Sequence, residues 1–483
     1  MMKLNRTNND VAIASLPTKV LQFGEGNFLR AFVDWMIDTM NKKQNFEAGI
    51  KVVQPIDRGM VDMLNDQDGL YTLYLRGIQN GEAKSEHTLI DAIQGGINPY
   101  TQNDEYMAQA EEDSLRFVIS NTTEAGIAFD ANDKLEDKPQ NSYPGKLTAL
   151  LYRRFTHFKG EAAKGLIIIP CELIDANADR LKEIVLKYAE LWKLEADFVK
   201  WINEANYFCN TLVDRIVPGY PKDRMPEIKE ELGYEDNLVV EGEFFHLWVI
   251  QAPEQVQKEF PAPAAGLNVI FTDDITPYKK RKVRILNGLH TILVPVAYLY
   301  GIDAVRQAVE DEVCGRFLKK ALEEEIIPSL DMDKQELETF AADVLDRFRN
   351  PYIHHLLLSI SLNSFSKFET RVLPTLLAYQ EQNNEIPQRL SFALAAMLYF
   401  YRGKRNLEEI PVNDSQDVMD LMKTEWAAMK SELEFGSLVK NVLAYDKVWK
   451  RDLNEVPGLC EAVTESLQSI HEKGMNKAIE SML

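Results

Sequence analysis

Residues 23–31 read Phe23-Gly24-Glu25-Gly26-Asn27-Phe28-Leu29-Arg30-Ala31, between a short apolar run at 20–23 and a helical period from Ala31 to Met40. No other feature of the chain narrows its fold as far. Two glycines in a strand-to-helix turn let backbone approach a bulky anion, and the helix start behind them offers unpaired N–H groups to its charge. The third glycine of the usual G-x-G-x-x-G is absent, because Leu29 stands there. A second apolar run follows at 51–56, giving β-α-β order, and a carboxylate at its end, Asp57, can accept hydrogen bonds from ribose hydroxyls, which favours NAD over NADP. Arg58 stands beside it.

Further buried-strand candidates at 116–120 and 165–169 enclose a predicted helix at 145–157, so the first half alternates as a mostly parallel α/β sheet does. Residues 71–77 and 86–90 flank Asn80-Gly81 and read as a hairpin. Prolines at 218, 221, 226, 253, 261 and 263 mark an irregular excursion interrupted by an aromatic run at 244–248. Beyond about residue 277 the pattern turns helical, with predicted helices at 281–299, 304–325, 334–348, 389–401, 418–432 and 461–479. The expected division is a Rossmann-type dinucleotide-binding domain with insertions over 1–277 and a mainly α-helical substrate domain over 278–483.

Charge excludes whole classes of partner. With 54 Lys+Arg against 75 Asp+Glu the net charge is −21, so nucleic acid and anionic membrane are disfavoured, and an acidic small substrate would need a local basic pocket. The N-terminus lacks the apolar stretch of a secretory signal, and apolar runs such as 391–401 fall short of a bilayer span. Four scattered cysteines (171, 209, 314 and 460) fit neither a disulfide framework nor a zinc site, so a cytoplasmic location is expected. The seven histidines form no H-x-x-x-H pair, and no metal is expected.

A second constellation is the basic run Lys279-Lys280-Arg281-Lys282-Val283-Arg284 followed by Asn287 and His290. Basic runs are most often solvated helix faces. On a regular helix, however, Asn287 and His290 lie about 60° apart and Lys282 falls within about 140° of them. Metal-free oxidation of an alcohol needs a base, a donor to the developing alkoxide and a hydride acceptor. Lys282 can be the base, Asn287 the donor, and His290 can orient the same oxygen.

These motifs resemble the polyol-specific long-chain dehydrogenases, the mannitol dehydrogenase family, over nearly the whole chain. The family's G-x-G-x-F-x-R-A stands at Gly24 to Ala31, its V-D-R-I at 213–216, and its K-x-x-x-x-N-x-x-H at Lys282, Asn287 and His290. A T-E-x-G loop at 123–126, an E-x-F-x-x-W-V-I strand at 243–250 and an N-P-x-I helix start at 350–353 follow the family's pattern. The resemblance implies metal-independent NAD chemistry on a small molecule, with Lys282 as general base, Asn287 and His290 beside the reacting oxygen, and Asp214 at the substrate cleft. It also implies a cofactor set of Phe23, Gly24, Gly26, Asn27, Phe28, Leu29, Arg30, Asp57, Asn121, Thr122 and Thr123.

Two positions depart from the polyol pattern. Leu173, after Cys171-Glu172, replaces a second alkoxide-binding Asn, unless Asn177 or Asn121 substitutes. Ser359 stands where the family has an Arg. Both speak against neutral polyols, and the stretches at 23–35, 120–127, 168–175, 210–217 and 347–355 resemble the family's uronate branch, which implies a sugar-acid substrate. Candidates for gripping a carboxylate are Arg215, Arg347, Arg349, His354, His355, Lys367 and Arg371. Monomer and dimer both remain open, and a non-catalytic nucleotide-binding sensor is the rival from another class.

Overall fold

The computed structural model describes residues 2–7, 15–79, 81–429 and 434–483. Asn80 of the expected turn and residues 430–432 of one expected helix lie outside them. The chain divides into two compact units. One comprises 1–76 and 84–275, the other Thr276–Leu483 together with the hairpin tip at 77–83.

Twelve strands matter for the first unit. They are β1 (Thr18–Phe23), β2 (Gly49–Val53), β3 (Tyr71–Gln79), β4 (Glu82–Ile90), β5 (Ile93–Ile97), β6 (Phe117–Ser120), β7 (Ile167–Pro170), β8 (Tyr207–Phe208), β9 (Thr211–Asp214), β10 (Val240–Gly242), β11 (Leu247–Gln251) and β12 (Val269–Thr272). Six form an all-parallel sheet in the order β5-β2-β1-β6-β7-β8. This is the doubly wound order in which the chain reverses direction between β1 and β6 and leaves a crevice at their carboxyl ends. The strands are short apolar runs because both faces are buried. Val20, Ile50, Phe117, Ile119, Ile167 and Ile169 enter the core on one side. Their neighbours Leu21, Val118 and Ile168 enter the core on the other.

Side elements complete this unit. Strands β3 and β4 form the hairpin, with β10 parallel to β3 on its other edge. The proline-rich excursion supplies β11, antiparallel to β9 and parallel to β12. The strand expected at 51–56 stops at Val53, so Asp57 lies in the loop beyond it, exposed.

Helices lie between the strands. The first, α1, runs over 27–44 and contains a π-turn at Arg30–Asp34. Next are α2 (Tyr143–His157), capped by Ser142, whose Oγ accepts the Gly145 N–H at 2.9 Å, and α3 (Asn177–Leu191).

Over 276–483 the described residues of the second unit are helical apart from one short two-stranded ladder and an isolated bridge between Ala304 and Leu356. Its central element is α4 (Thr276–Tyr300), 25 residues long. Contrary to the expectation of no span-length apolar segment, α4 is long and apolar enough to cross a bilayer. Yet 67% of its apolar window is buried, as in a core helix. Around it lie α5 (Lys334–Phe348), α6 (Ser364–Arg371) and α7 (Gln388–Phe400), the last buried on every side, and α8 (Leu459–Lys473), which ends at Gly474 in a positive-φ conformation, packs on α7. Residues 350–353 do not start a helix. They form a turn in which Asn350 Oδ1 accepts the Tyr352 N–H at 3.0 Å. His354 and His355 therefore sit in a loop, not on a helix.

Candidate active site

In the first unit the loop after β1 is drawn against the loop after β6. Gly24 takes φ +116°, and a Cβ there would lie 2.9 Å from the Asn121 carbonyl oxygen, so only glycine allows the approach. Gly24 N–H donates to Val53 O at 3.1 Å and Asn121 N–H to Phe23 O at 3.0 Å. Gly26 is different: φ is −69°, and a Cβ would meet no atom of the chain within 4 Å. The space over Gly26 opens at the start of α1, which no side chain caps. Bare backbone at a helix N-terminus on the reversal point of the sheet fits a dinucleotide pyrophosphate.

The remaining residues of the motif hold that loop in place. Leu29, in the place of the third glycine, is buried and packs toward Gly24. Phe23 lies between Tyr106 and Tyr143, and Phe28 stacks on Phe32 at 5.0 Å. Arg30 is 1% exposed; its guanidinium donates to Glu25 O (3.2 Å), to Asn27 Oδ1 (2.7 Å) and to Leu238 O. Arg30 and the Asn27 carbonyl oxygen thus brace the loop from within the protein.

Glu25, which sequence reasoning passed over, reaches the loop that carries Asp57. Its Oε1 accepts the Met60 N–H at 3.1 Å, and Gly59 packs so tightly that a Cβ would lie 2.2 Å from Glu25 Oε1 and 2.5 Å from Gln54. Burial raises the Glu25 carboxyl above its usual range, opposed by the Met60 hydrogen bond and Arg30. Asp57 is near enough to Tyr100, beyond β5, to contribute to raising the phenol's pKa, after burial.

The loops after β6 and β7 are tied by Glu172. Its Oε1 accepts Thr122 N–H and Oγ1–H, both at 2.9 Å, and its Oε2 accepts Ser120 Oγ–H at 3.0 Å. Thr123 sits at φ +72° in the turn that follows. Asn177, expected as a possible alkoxide donor, is excluded by its bonds. Its Nδ2 donates to Pro170 O, Glu172 O and Thr211 Oγ1, and its Oδ1 accepts Ala178 and Thr211 N–H. Leu173 projects from the same loop, 67% exposed. Asp214 ends β9 in a buried position. The next residue, Arg215, is buried over Trp35 at 4.3 Å and donates to Glu243 O at 2.8 Å and Ala31 O at 2.6 Å. Its cationic form is destabilised by burial, to a pKa of about 9, and while Nε and Nη1 serve backbone carbonyls, Nη2 is buried without a hydrogen-bond partner.

In the second unit the three predicted residues sit on α4, but not on a regular helix. A π-turn occupies Val283–Asn287. Its hydrogen bonds run from i to i+5, which sets Lys282 and Asn287, five apart, over one another where a uniform α-helix would splay them. His290 follows three residues later on the α-helical segment from Gly288. Of the basic run, Lys280 is exposed. Arg281 is pinned inside, paired with Glu336 and lying over Phe340 at 4.5 Å.

His290 stacks on Phe348 at 4.1 Å between ring centroids and meets His355 edge-on at 5.2 Å. Its Nε2 is sealed from solvent without a hydrogen-bond partner. Burial above all, then the positive fields of His355, Arg347, Arg371 and Lys367, hold its pKa well below the ordinary imidazole value. At neutral pH His290 is an uncharged ring that can donate or accept one hydrogen bond. Arg349 turns away to Asp346 (3.3 Å), while His354 and Ser359 are exposed.

The first unit holds a crevice that fits a dinucleotide, and one helix of the second unit carries a lysine, an amide and a neutral imidazole, the group types that a nicotinamide-dinucleotide dehydrogenase acting on a CH–OH group uses. Comparison with known proteins gives the lineage. Residues 18–262 match the Mannitol dehydrogenase Rossmann domain and residues 274–471 the Mannitol dehydrogenase C-terminal domain, and the chain belongs to the mannitol dehydrogenase family. It is 52% identical to an "Altronate oxidoreductase" of Bacteroides thetaiotaomicron, with 97% of each chain covered. It is 49% identical to one of Bacillus subtilis (99% and 98% covered) and 50% identical to one of Escherichia coli, with both chains covered in full. Its fold is that of a substrate-free D-sorbitol dehydrogenase (TM-score 0.82, 22% identity, 99% and 100% covered). It also matches the mannitol 2-dehydrogenase of Pseudomonas fluorescens solved with NAD and D-mannitol (TM-score 0.65, 21% identity, 99% of each covered).

Proposed function

We propose that this chain is an NAD-dependent oxidoreductase that interconverts D-altronate and D-tagaturonate, with Lys282 as the general acid/base. The observation that carries the substrate is identity near one half, end to end, with altronate oxidoreductases from several bacteria. Leu173 carries no amide and the Asn177 amide is taken up by backbone and Thr211, which supports a departure from the pattern for neutral polyols and leaves Asn121 as the alternative amide donor.

When bound, the reduced nicotinamide supplies the hydride. The first unit would hold the pyrophosphate at Gly24 and Gly26 and the ribose beside Asp57, whose negative charge opposes a 2′-phosphate. In reduction, protonated Lys282 gives its proton to the oxygen of the carbonyl as that oxygen gains charge, and the Asn287 amide donates a hydrogen bond to the same atom. Neutral His290 orients the oxygen without adding a charge. In oxidation the same lysine, deprotonated, takes the hydroxyl proton.

The test is the NADH absorbance band on mixing purified protein with D-tagaturonate, D-fructuronate, D-fructose and D-tagatose, repeated with NADPH. Fastest turnover with D-tagaturonate and NADH is expected. Preference for D-fructuronate or a neutral ketose would remove the substrate assignment, and preference for NADPH the cofactor assignment. Lys282→Ala should lower kcat about 10²–10⁴-fold while NADH still binds. Near wild-type turnover would mean another group moves the proton.

A further inference from the structure

The loop after β2, residues 54–60, carries two neighbours of opposite sign. Asp57 and Arg58 are both exposed. A carboxylate facing the ribose 2′ position repels the extra phosphate of NADP, and an arginine there accommodates it. The cofactor preference therefore depends on which of the two the loop turns toward the nucleotide, and so on what fixes the loop's backbone.

Two buried side chains fix it from opposite ends. Gln54, 3% exposed, donates from Nε2 to Ile56 O at 2.9 Å, just before Asp57. Glu25, 9% exposed, comes from the glycine turn after β1, and its Oε1 accepts Met60 N–H at 3.1 Å, just after Gly59. Asp57 and Arg58 lie between these two bonds. Gly59 is pressed against the same pair: a Cβ there would lie 2.2 Å from Glu25 Oε1 and 2.5 Å from both Gln54 Cδ and Oε1, so a side chain at 59 would push the loop away. The Glu25 backbone is held in turn, because Arg30 Nε donates to its carbonyl oxygen at 3.2 Å. The glycine turn and the 54–60 loop are thus one braced piece. Burying a carboxyl group to hold a surface loop is costly, and an apolar side chain would fill the space at less cost.

We propose that Glu25 is a positioning residue for cofactor choice: its hydrogen bond to Met60 N–H holds the 54–60 loop so that Asp57, and not Arg58, meets the ribose. The proposal rests on the NAD reading above and on nothing about the sugar.

Dissociation constants for NADH and NADPH, from fluorescence titration without sugar, test it through their ratio. Glu25→Ala should cut the preference for NADH about 10-fold, since leaving one such donor unpaired is worth about 5- to 100-fold. Gly59→Ala keeps the Glu25 charge but lifts the loop, and should cut the preference too. Glu25→Gln retains an acceptor for Met60 N–H and should keep most of it. With Asp57→Asn and Arg58→Ala both in place, Glu25→Ala should leave the ratio unchanged, because the loop then has no charge to present. A merely structural Glu25 would lower Tm and weaken both cofactors alike. An unmoved ratio in Glu25→Ala overturns the proposal. So does a ratio in Glu25→Gln that falls as far as in Glu25→Ala, which would mean that the charge of Glu25 acts on the phosphate directly. If thermal melts show that Glu25→Ala does not fold, Gly59→Ala decides by the same criterion.

A wild type that prefers NADPH removes the NAD reading and the place of Asp57. Loss of that preference in Glu25→Ala would still uphold the brace, and its retention would remove it. A wild type indifferent to the two cofactors removes the reading and the proposal together.

Discussion

Gly24 and Gly26 stand two residues apart in one motif, yet the structure assigns them opposite reasons for being glycine, and alanine at each separates folding from cofactor binding. At Gly24 the backbone has φ +116°, and a methyl group would press on Asn121 O at 2.9 Å. A non-glycine residue in that region costs about 1–3 kcal/mol before any steric term. With roughly 2–4 °C per kcal/mol for a unit of this size, Gly24→Ala should lower Tm by several degrees. At Gly26 the backbone is φ −69°, ψ 167°, which alanine adopts freely, and nothing of the protein lies within 4 Å. Removing glycine there should leave stability unchanged or raise it by about 0.4–1 kcal/mol through the unfolded chain. Only a bound pyrophosphate would meet the new methyl. NADH affinity, measured by fluorescence titration, should therefore weaken about 10- to 100-fold, or about 1.4–2.8 kcal/mol, in a protein that melts at or above the wild-type temperature. A Gly26→Ala protein that binds NADH as the wild type does would refute the placement of the phosphates.

Two further predictions concern buried carboxyl groups of the first unit. Asp34 is wholly buried, with Oδ1 unpartnered and Oδ2 accepting a long 3.4 Å bond from Gln22, and burial pushes its pKa up to about 8 against the opposing effects of Gln22 and Arg30. Between about pH 4 and pH 8 the folded chain keeps a proton that the unfolded chain has lost, so stability falls as pH rises through that window. Asp34→Asn should flatten the plot of Tm against pH there, leaving the smaller slope from Asp38, itself held up to about 7; an identical slope would show that Asp34 ionises normally. Glu172→Ala strands Thr122 N–H, Thr122 Oγ–H and Ser120 Oγ–H, which costs about 1–3 kcal/mol. Its KM for NADH should rise several-fold with kcat little changed, and a change confined to kcat would place Glu172 in the chemistry instead.

The parallel sheet was legible because strands buried on both faces leave short unbroken apolar runs, and 20–23, 117–120 and 167–170 carry almost nothing else. Strand β8, two residues long, leaves no period to read. The mainly helical character beyond the first unit followed from apolar spacing, yet residues 350–353 were misjudged, because an Asx turn at Asn350 closes the backbone that a helix start would have used. At the site, residue types were legible and geometry was not. Asn177 looks like a free donor until Pro170, Glu172 and Thr211, brought together only by the fold, take up its amide. Glu25 is a single acid in a glycine loop, and nothing local says that it reaches Met60. The π-turn at 283–287 has no compositional signature at all, although it sets the relative orientation of Lys282 and Asn287.

That turn makes the proposed proton-transfer apparatus depend on the winding of the helix as well as on side chains. A π-turn is an α-helix carrying one surplus residue, and the surplus acts as a phase shifter between the lysine and the groups after it. Winding the same residues as a regular α-helix, with none removed, would turn Lys282 by about a quarter of a circle relative to His290, with every side chain still present. Recombination between this chain and a relative whose helix lacks the extra residue would keep the K-x-x-x-x-N-x-x-H letters only if the crossover fell outside 282–290. In this stretch the unit of inheritance is the spacing.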